Sequence, residues 1–357
     1  MIDPNNMVIL VYPYPWYNAR LNHKDVFLFP MAISDALKCQ MSMFMGKFVS
    51  GSEREGQNKS VLRVALLINV ILLCFRLLAL KIFSRQICPR FIYFHIGWPT
   101  ALLAFFCCIL WGKSAKIVVK SDFNAENNVS INNLSLIDAA SVVLINRVDC
   151  IVVGETSKSV DVLKNIFHGG KASVMLCRNG FDVVSLPLNY EPDREIDVLI
   201  VSRFRVLEKG RNAYALVVPL LTKAGFKVML VGDGVHEFLS ELGLKESLYL
   251  KATEKLVNLD VLKAMKRSKI FLNLSVSESF IIALVEAYAM GCQVICTPVG
   301  IGPDLAMETK NVSLVSSDPS EVLSAVTVSC KNQQPRSPVI IGTWEEVVRS
   351  SGIIRRL

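Results

Sequence analysis

The chain has 357 residues, enough for two α/β domains of ordinary size and too many for one small module. Hydrophobic residues are 52% and charged residues 20%, with a mean hydropathy of +0.42; this excludes intrinsic disorder as the main description and raises the question of a membrane. The net charge of +8 suits anionic lipid, nucleotide phosphates or nucleic acid about equally, and no dense Lys/Arg run singles out nucleic acid.

The N-terminal residues Met1-Ile2-Asp3-Pro4-Asn5-Asn6 have no basic flank leading into an apolar core, so they do not read as a secretion signal. The first half then alternates strand and helix patterns. Strands are predicted at 7–12, 91–95, 116–120, 150–153 and 173–176, and helices at 29–41, 61–83, 100–110 and 160–167. Continuous apolar strands such as Ile151-Val152-Val153 suit a parallel sheet covered on both faces.

Two apolar stretches need a membrane test. In the first, Arg63, Asn69, Arg76, Lys81 and Arg85 fall within about half of a helical wheel at ~100° per residue. Arg76 would sit deep in the hydrocarbon of a spanning helix, so a buried or surface-lying amphipathic helix is expected. The second, from Trp98 to Trp111, is too short to span and reads as a buried crossover helix, with Pro99 in its first turn.

Two prolines and a charge cluster at 186–195 suggest an inter-domain linker, after which alternation resumes. Strands are predicted at 197–201, 227–231, 270–272 and 293–296, and helices at 212–223, 261–267 and 280–290. Two βαβα runs imply two doubly wound domains, read as 1–187 and 188–340. Residues 341–357 read as a terminal helix opened by the capping box Thr343-Trp344-Glu345-Glu346. Ten cysteines without a C-x-x-C pair predict reduced, buried thiols and no zinc site, and the four histidines have no metal-ligand spacing.

Three patterns in the second half carry chemistry. Arg203 and Lys209-Gly210 follow a strand, where a guanidinium fork and an ammonium could clamp a diphosphate. Gly232-Asp233-Gly234 follows another strand, but Glu237 stands where a dinucleotide fingerprint needs its third glycine. Either a tight turn or a close approach to a ligand fits this pattern. Finally, Glu278 precedes a helix that carries Glu286, and the N–H groups of Ser279, Phe280, Ile281 and Ile282 would form that helix's anion-binding start.

The spacing Glu278-x7-Glu286, with Ser279-Phe280 after the first Glu and Ala287-x-Ala289-x-Gly291 after the second, resembles family 4 of the retaining glycosyltransferases. These are GT-B enzymes with two Rossmann-like domains facing a cleft and a nucleotide-sugar donor. Arg178-Asn179-Gly180-Phe181-Asp182, Arg203 with Lys209-Gly210, and the run from Gln293 to Gly300 extend the likeness. The resemblance implies that Arg203 and Lys209 neutralise the donor diphosphate and that Glu286 holds the ribose hydroxyls. It gives Glu278 the transferred sugar and the backbone of 279–282 the phosphate. Ala252-Thr253, taken to follow a strand at 248–250, would lie near the base.

The sequence also departs from the pattern. Ile281 stands where the family usually has Gly and could reshape the donor pocket. The loop after the first strand, Tyr12-Pro13-Tyr14-Pro15-Trp16-Tyr17-Asn18, lacks the usual glycines, leaving Trp16 as an acceptor-cleft candidate. Asp122 in Lys120-Ser121-Asp122 replaces the usual His and becomes the catalytic candidate with Glu278; His95 is structural or cleft-lining.

The expectation is a hexosyltransferase that moves sugar to a glycan or lipid-linked acceptor in envelope glycoconjugate synthesis. It would need no metal or other cofactor and bind no nucleic acid. It would be cytoplasmic and peripheral on the inner membrane face, in contact with anionic lipid. The alternatives are a nucleotide-sugar epimerase of similar fold and a non-catalytic protein that binds sugar or serves in assembly.

Overall fold

The computed structural model describes residues 7–12, 24–45, 59–83, 89–95, 98–112, 115–120, 136–180, 194–254, 256–331 and 342–357. The expected linker at 186–195 lies outside them except for Arg194 and Glu195. The chain forms two compact units, one of residues up to 180 joined by Gly342–Leu357, the other largely of Phe181–Ile341.

The first unit runs β1 (Met7–Tyr12), α1 (Lys24–Ala36), β2 (Gln40–Met45), α2 (Lys59–Phe83), β3 (Phe91–His95), α3 (Trp98–Trp111), β4 (Lys116–Lys120), α4 (Leu136–Asn146), β5 (Cys150–Gly154), α5 (Ser157–Ile166) and β6 (Ser173–Leu176). The strands form a parallel sheet in the order β2-β1-β3-β4-β5-β6. Side chains alternate across it with period two. Ile9, Ile92, Ile117 and Val152 face a core shared with α2, α3, α4 and α5. Val8, Tyr93, Val118 and Val153 face one shared with α1 and the C-terminal helices α12 (Trp344–Ser350) and α13 (Ile353–Arg356).

The second unit runs β7 (Ile196–Val201), α6 (Arg211–Lys223), β8 (Val228–Val231), α7 (Val235–Glu241), β9 (Leu250–Thr253), α8 (Asn258–Lys266), β10 (Ser268–Asn273), α9 (Ile282–Ala289), β11 (Gln293–Cys296), α10 (Gly302–Glu308), β12 (Val312–Leu314) and α11 (Pro319–Lys331). Its parallel sheet has the order β12-β11-β10-β7-β8-β9. Helices α8, α9 and α10 cover one face and α6, α7 and α11 the other. Two parallel sheets, each sandwiched between helices, are the expected pair of Rossmann-like domains.

Several expectations are corrected. The helix predicted at 29–41 is α1 at Lys24–Ala36, and its tail is instead β2. Lys38, in the left-handed region with φ 55°, breaks the two apart. The strand placed at 248–250 is β9, so Ala252 and Thr253 lie on it rather than after it. The terminal segment is two short helices; the expected capping box is present, with Thr343 Oγ1 accepting from Glu346 N and the Glu346 carboxylate accepting from Thr343 N.

Helix α2 holds the main surprise. On the wheel, Asn69, Val70, Leu73 and Leu77 point into the sheet and are buried. Ile68, Ile71, Leu72, Phe75, Ile82 and Phe83 are exposed within an arc of roughly 120°. The polar side chains described there, Asn69, Arg76 and Lys81, therefore lie on the sheet-facing side or at its margins. The purely apolar arc is turned outward.

Candidate active site

Parallel sheets bind ligands outside the carboxyl ends of their strands, at the point where strand order reverses. In the second unit that point lies between β7 and β10, since β8 and β9 extend to one side and β11 and β12 to the other. The loops leaving β7 and β10 carry Lys209 and Glu278, respectively.

After β7 the chain makes a short 3₁₀ turn, Leu207–Lys209, and enters α6 through Gly210. Gly210 has φ 85°, and a Cβ there would lie 2.3 Å from the Leu274 carbonyl oxygen. Only glycine permits this approach of the β7 loop to the end of β10. Two hydrogen bonds hold the loop there: Ser202 Oγ donates to Lys209 O at 3.1 Å, and Val276 N to Glu208 O at 2.9 Å. Tyr214 on α6 is fully buried, and its hydroxyl accepts from Leu274 N at 2.9 Å, fixing the exit of β10. Burial raises the Tyr214 pKa, which keeps the hydroxyl neutral.

Lys209 Nζ lies 2.6 Å from both Glu278 carboxylate oxygens. The pair is partly open, with the side chains 24% and 13% exposed. Ser275 Oγ donates to Glu278 Oε1 at 3.0 Å, and Thr297 Oγ1 to Ser275 O at 2.5 Å, so loops from β7, β10 and β11 converge on the pair. An ammonium has three donors, so Lys209 can hold Glu278 and still reach one further anion. Arg203, on the same loop, is exposed.

Ser279 and Phe280 precede α9 rather than begin it, which corrects the predicted helix start at 280. Ile281 is the N-cap, and Leu284 N already bonds Ile281 O at 3.2 Å. The helix-start donors are thus those of Ile282 and Ala283, and the other predicted N–H groups belong to the loop before it. Ile281 has φ 76° and ψ 77°, a backbone that suits glycine and strains a β-branched residue. The loop therefore keeps a glycine-like course. The Ile281 side chain is buried against Gly300, where a Cβ would meet Ile281 Cγ1 at 3.0 Å. Glu286 lies one turn beyond Ile282 on the same side of α9 and is buried.

Gly232-Asp233-Gly234 joins β8 to α7 as a turn, with Phe204 N bonded to Asp233 O at 2.9 Å and Gly234 N to Glu254 Oε2 at 3.2 Å. Burial pushes the thiols of Cys292, just before β11, and Cys296, its last residue, up to about 12.

In the first unit the order reverses between β1 and β3. His95 ends β3 there, in register with Lys120 of β4. Trp16 and Asp122 lie outside the described residues. A buried cluster that joins Asn179 of the family-like segment to Lys120 and Glu155, a grouping the sequence did not show, stands at the same sheet edge. Lys120 Nζ is 2.7 Å from Glu155 Oε1 and donates to Asn179 Oδ1 at 2.5 Å, and Asn179 Nδ2 donates to Glu155 Oε1 at 3.0 Å. The Phe29 and Trp344 rings cover the ammonium at 5.2 and 5.6 Å.

Residues 195–332 match the family of glycosyl transferases group 1. A phosphatidylinositol N-acetylglucosaminyltransferase component of Arabidopsis thaliana is 27% identical over 57% of this chain and 48% of its own length. An N-acetyl-alpha-D-glucosaminyl L-malate synthase of Bacillus anthracis is 26% identical over 60% and 58%. The chain thus spans about half the length of these curated relatives. The Anabaena protein HepE, solved with UDP and glucose, superposes with a TM-score of 0.62 at 15% identity, covering 97% of this chain and 95% of that one. Residues 195–332 therefore match a glycosyl transferase group 1 domain, and the chain has the GT-B fold of two Rossmann-like units.

Proposed function

We propose that the chain is a retaining hexosyltransferase that moves a sugar from a nucleoside diphosphate donor to a hydroxyl of a glycan or lipid-linked acceptor. The observation that carries this reading is the Lys209–Glu278 pair at the strand-order reversal of the second unit, beside the start of α9.

In this reading the departing diphosphate gains charge as the glycosidic bond breaks. Arg203, the remaining donor of Lys209 and the N–H groups of Ile282 and Ala283 stabilise that charge without a metal ion. Glu278, fixed by Lys209 and Ser275, faces the hydroxyls of the sugar. Glu286 accepts from the ribose hydroxyls. Asp122 serves the acceptor or the donor sugar, with Trp16 and His95 on the acceptor side. The relatives' names, with N-acetylglucosaminyl groups in both, and UDP with glucose in the Anabaena protein, support a nucleotide-sugar donor of this class. The glycine-like backbone of Ile281 favours a working donor loop over a non-catalytic protein.

The test is a thermal shift with UDP, GDP, ADP and their sugars on wild type, Arg203→Ala and Glu286→Ala. One nucleotide family should stabilise the wild type and neither variant, by about 2.7 kcal/mol at a hundredfold excess over Kd. Stabilisation should survive EDTA. If no nucleotide stabilises the wild type, the reading fails.

A further inference from the structure

The outward face of α2 continues onto α3, which packs beside it and exposes Leu102 and Ile109. These residues form one apolar layer on the outside of the first unit. Phe75 is 65% exposed and Phe83 88%. A helix apolar on both faces is normally buried on both, in a core or in lipid. Among the described residues, the sheet and α3 cover one side and one flank of α2, and its outward arc over 68–83 is left bare.

The charge around this layer selects the partner. Residues 56–121, which contain α2 and α3, hold nine lysines and arginines and no aspartate or glutamate, in a chain with 31 acidic residues. Two of the cations flank the apolar arc: Arg76 lies over the Phe44 ring at 5.6 Å, and Lys81 over the Trp111 ring at 5.8 Å. Both can bury their stems and hold their charges at a headgroup level. A second copy of this face would set cations against cations. An anionic bilayer answers both features, taking the apolar side chains below its phosphates and the cations among them. No described helix is long and apolar enough to cross a membrane, so the contact is interfacial.

We propose that the α2–α3 face is a docking surface for an anionic bilayer, with Phe75 and Phe83 as inserted anchors. The inference is independent of the transferase reading, because it concerns the first unit and is measured without nucleotide.

The test is flotation of the full chain with vesicles of phosphatidylcholine alone or mixed with phosphatidylglycerol, at low and high salt. The wild type should float with the mixed vesicles and be partly released by salt. Phe75→Ser with Phe83→Ser should bind at least about tenfold more weakly, given the apolar area removed. That variant should keep the wild-type circular dichroism and any nucleotide-induced thermal shift. If it fails to fold, Ile109→Ser, on α3, takes its place with the same expected loss. Three results would overturn the proposal: no flotation of the wild type with mixed vesicles, unchanged flotation of a folded variant, or a wild-type dimer that the variant splits into monomers.

Discussion

Each unit carries a Lys–Glu pair near the carboxyl edge of its sheet, and the two pairs live in opposite surroundings. Lys120 ends β4 in phase with Val118, so it points into the layer of α1 and α12. There Phe29 and Trp344 seal it from water, and it is 0% exposed beside a Glu155 that is 2% exposed. Lys209 sits instead on a loop, with Glu278, at 24% and 13% exposure. The sealed pair ties β4, β5 and β6 to the C-terminal helix. The open pair keeps a donor and a carboxylate available. In the proposed reading, the same two residue types thus act as a clasp in one unit and as a binding group in the other, according to their cover.

The largest effect should come from breaking the clasp. Lys120→Met leaves the Glu155 carboxylate buried without its cation, at a cost of about 3–5 kcal/mol. Denaturant unfolding should register this as a fall in midpoint. Adding Glu155→Leu should recover much of the loss, because an apolar replacement of both partners removes the stranded charge. A double variant no better than Lys120→Met would show that the residues around the pair, rather than the charges, hold the site.

The open pair should respond in the other register. Lys209→Met should change stability by about 1 kcal/mol or less, because a partly exposed pair contributes little. Nucleoside diphosphate binding should weaken at least about tenfold, as expected for a lost charge-assisted contact. Glu278→Gln should bind the nucleoside diphosphate nearly as the wild type does and lose the extra affinity for its sugar. Calorimetry on both ligands checks the split. Equal losses for the two would place Glu278 on the phosphates instead.

How much of this was legible in the sequence follows from what each feature depends on. Strands β3, β4, β6 and β11 were read to the residue, because short β-branched or aromatic runs between turn signals are local information. Strand β2, Gln-Met-Ser-Met-Phe-Met, was missed: it has no β-branched residue, and its place beside β1 is set by tertiary contact. Glu278 and Glu286 were visible as a spacing along one segment. The contact of Glu278 with Lys209, 69 residues away, and that of Lys120 with Glu155 and Asn179 depend on strand order, which no local pattern contains. On α2 the angular spread of polar residues was legible, and the direction in which each face points was not. Both faces are apolar enough for a core, so periodicity could not choose which one meets the sheet.

Ile281 offers the finest comparison, because strain and burial there oppose each other. Holding a β-branched residue at φ 76° costs about 1–3 kcal/mol. Burying its side chain against Gly300 returns about 1.5–3 kcal/mol. Ile281→Gly removes both, so its net effect on stability should lie within about 2 kcal/mol of zero. Ile295, in the middle of β11 and equally apolar, has the burial without the strain. Ile295→Gly should therefore cost at least as much as an ordinary large-to-small core change, about 2–5 kcal/mol. Thermal melts of the two variants side by side decide the matter. If Ile281→Gly falls as far as Ile295→Gly, the left-handed backbone holds no strain, and the loop owes its course to the Ile side chain. If it holds its midpoint and binds the nucleotide at least as tightly, the loop's course is set by the fold around it, and isoleucine is merely accommodated by the space that Gly300 leaves.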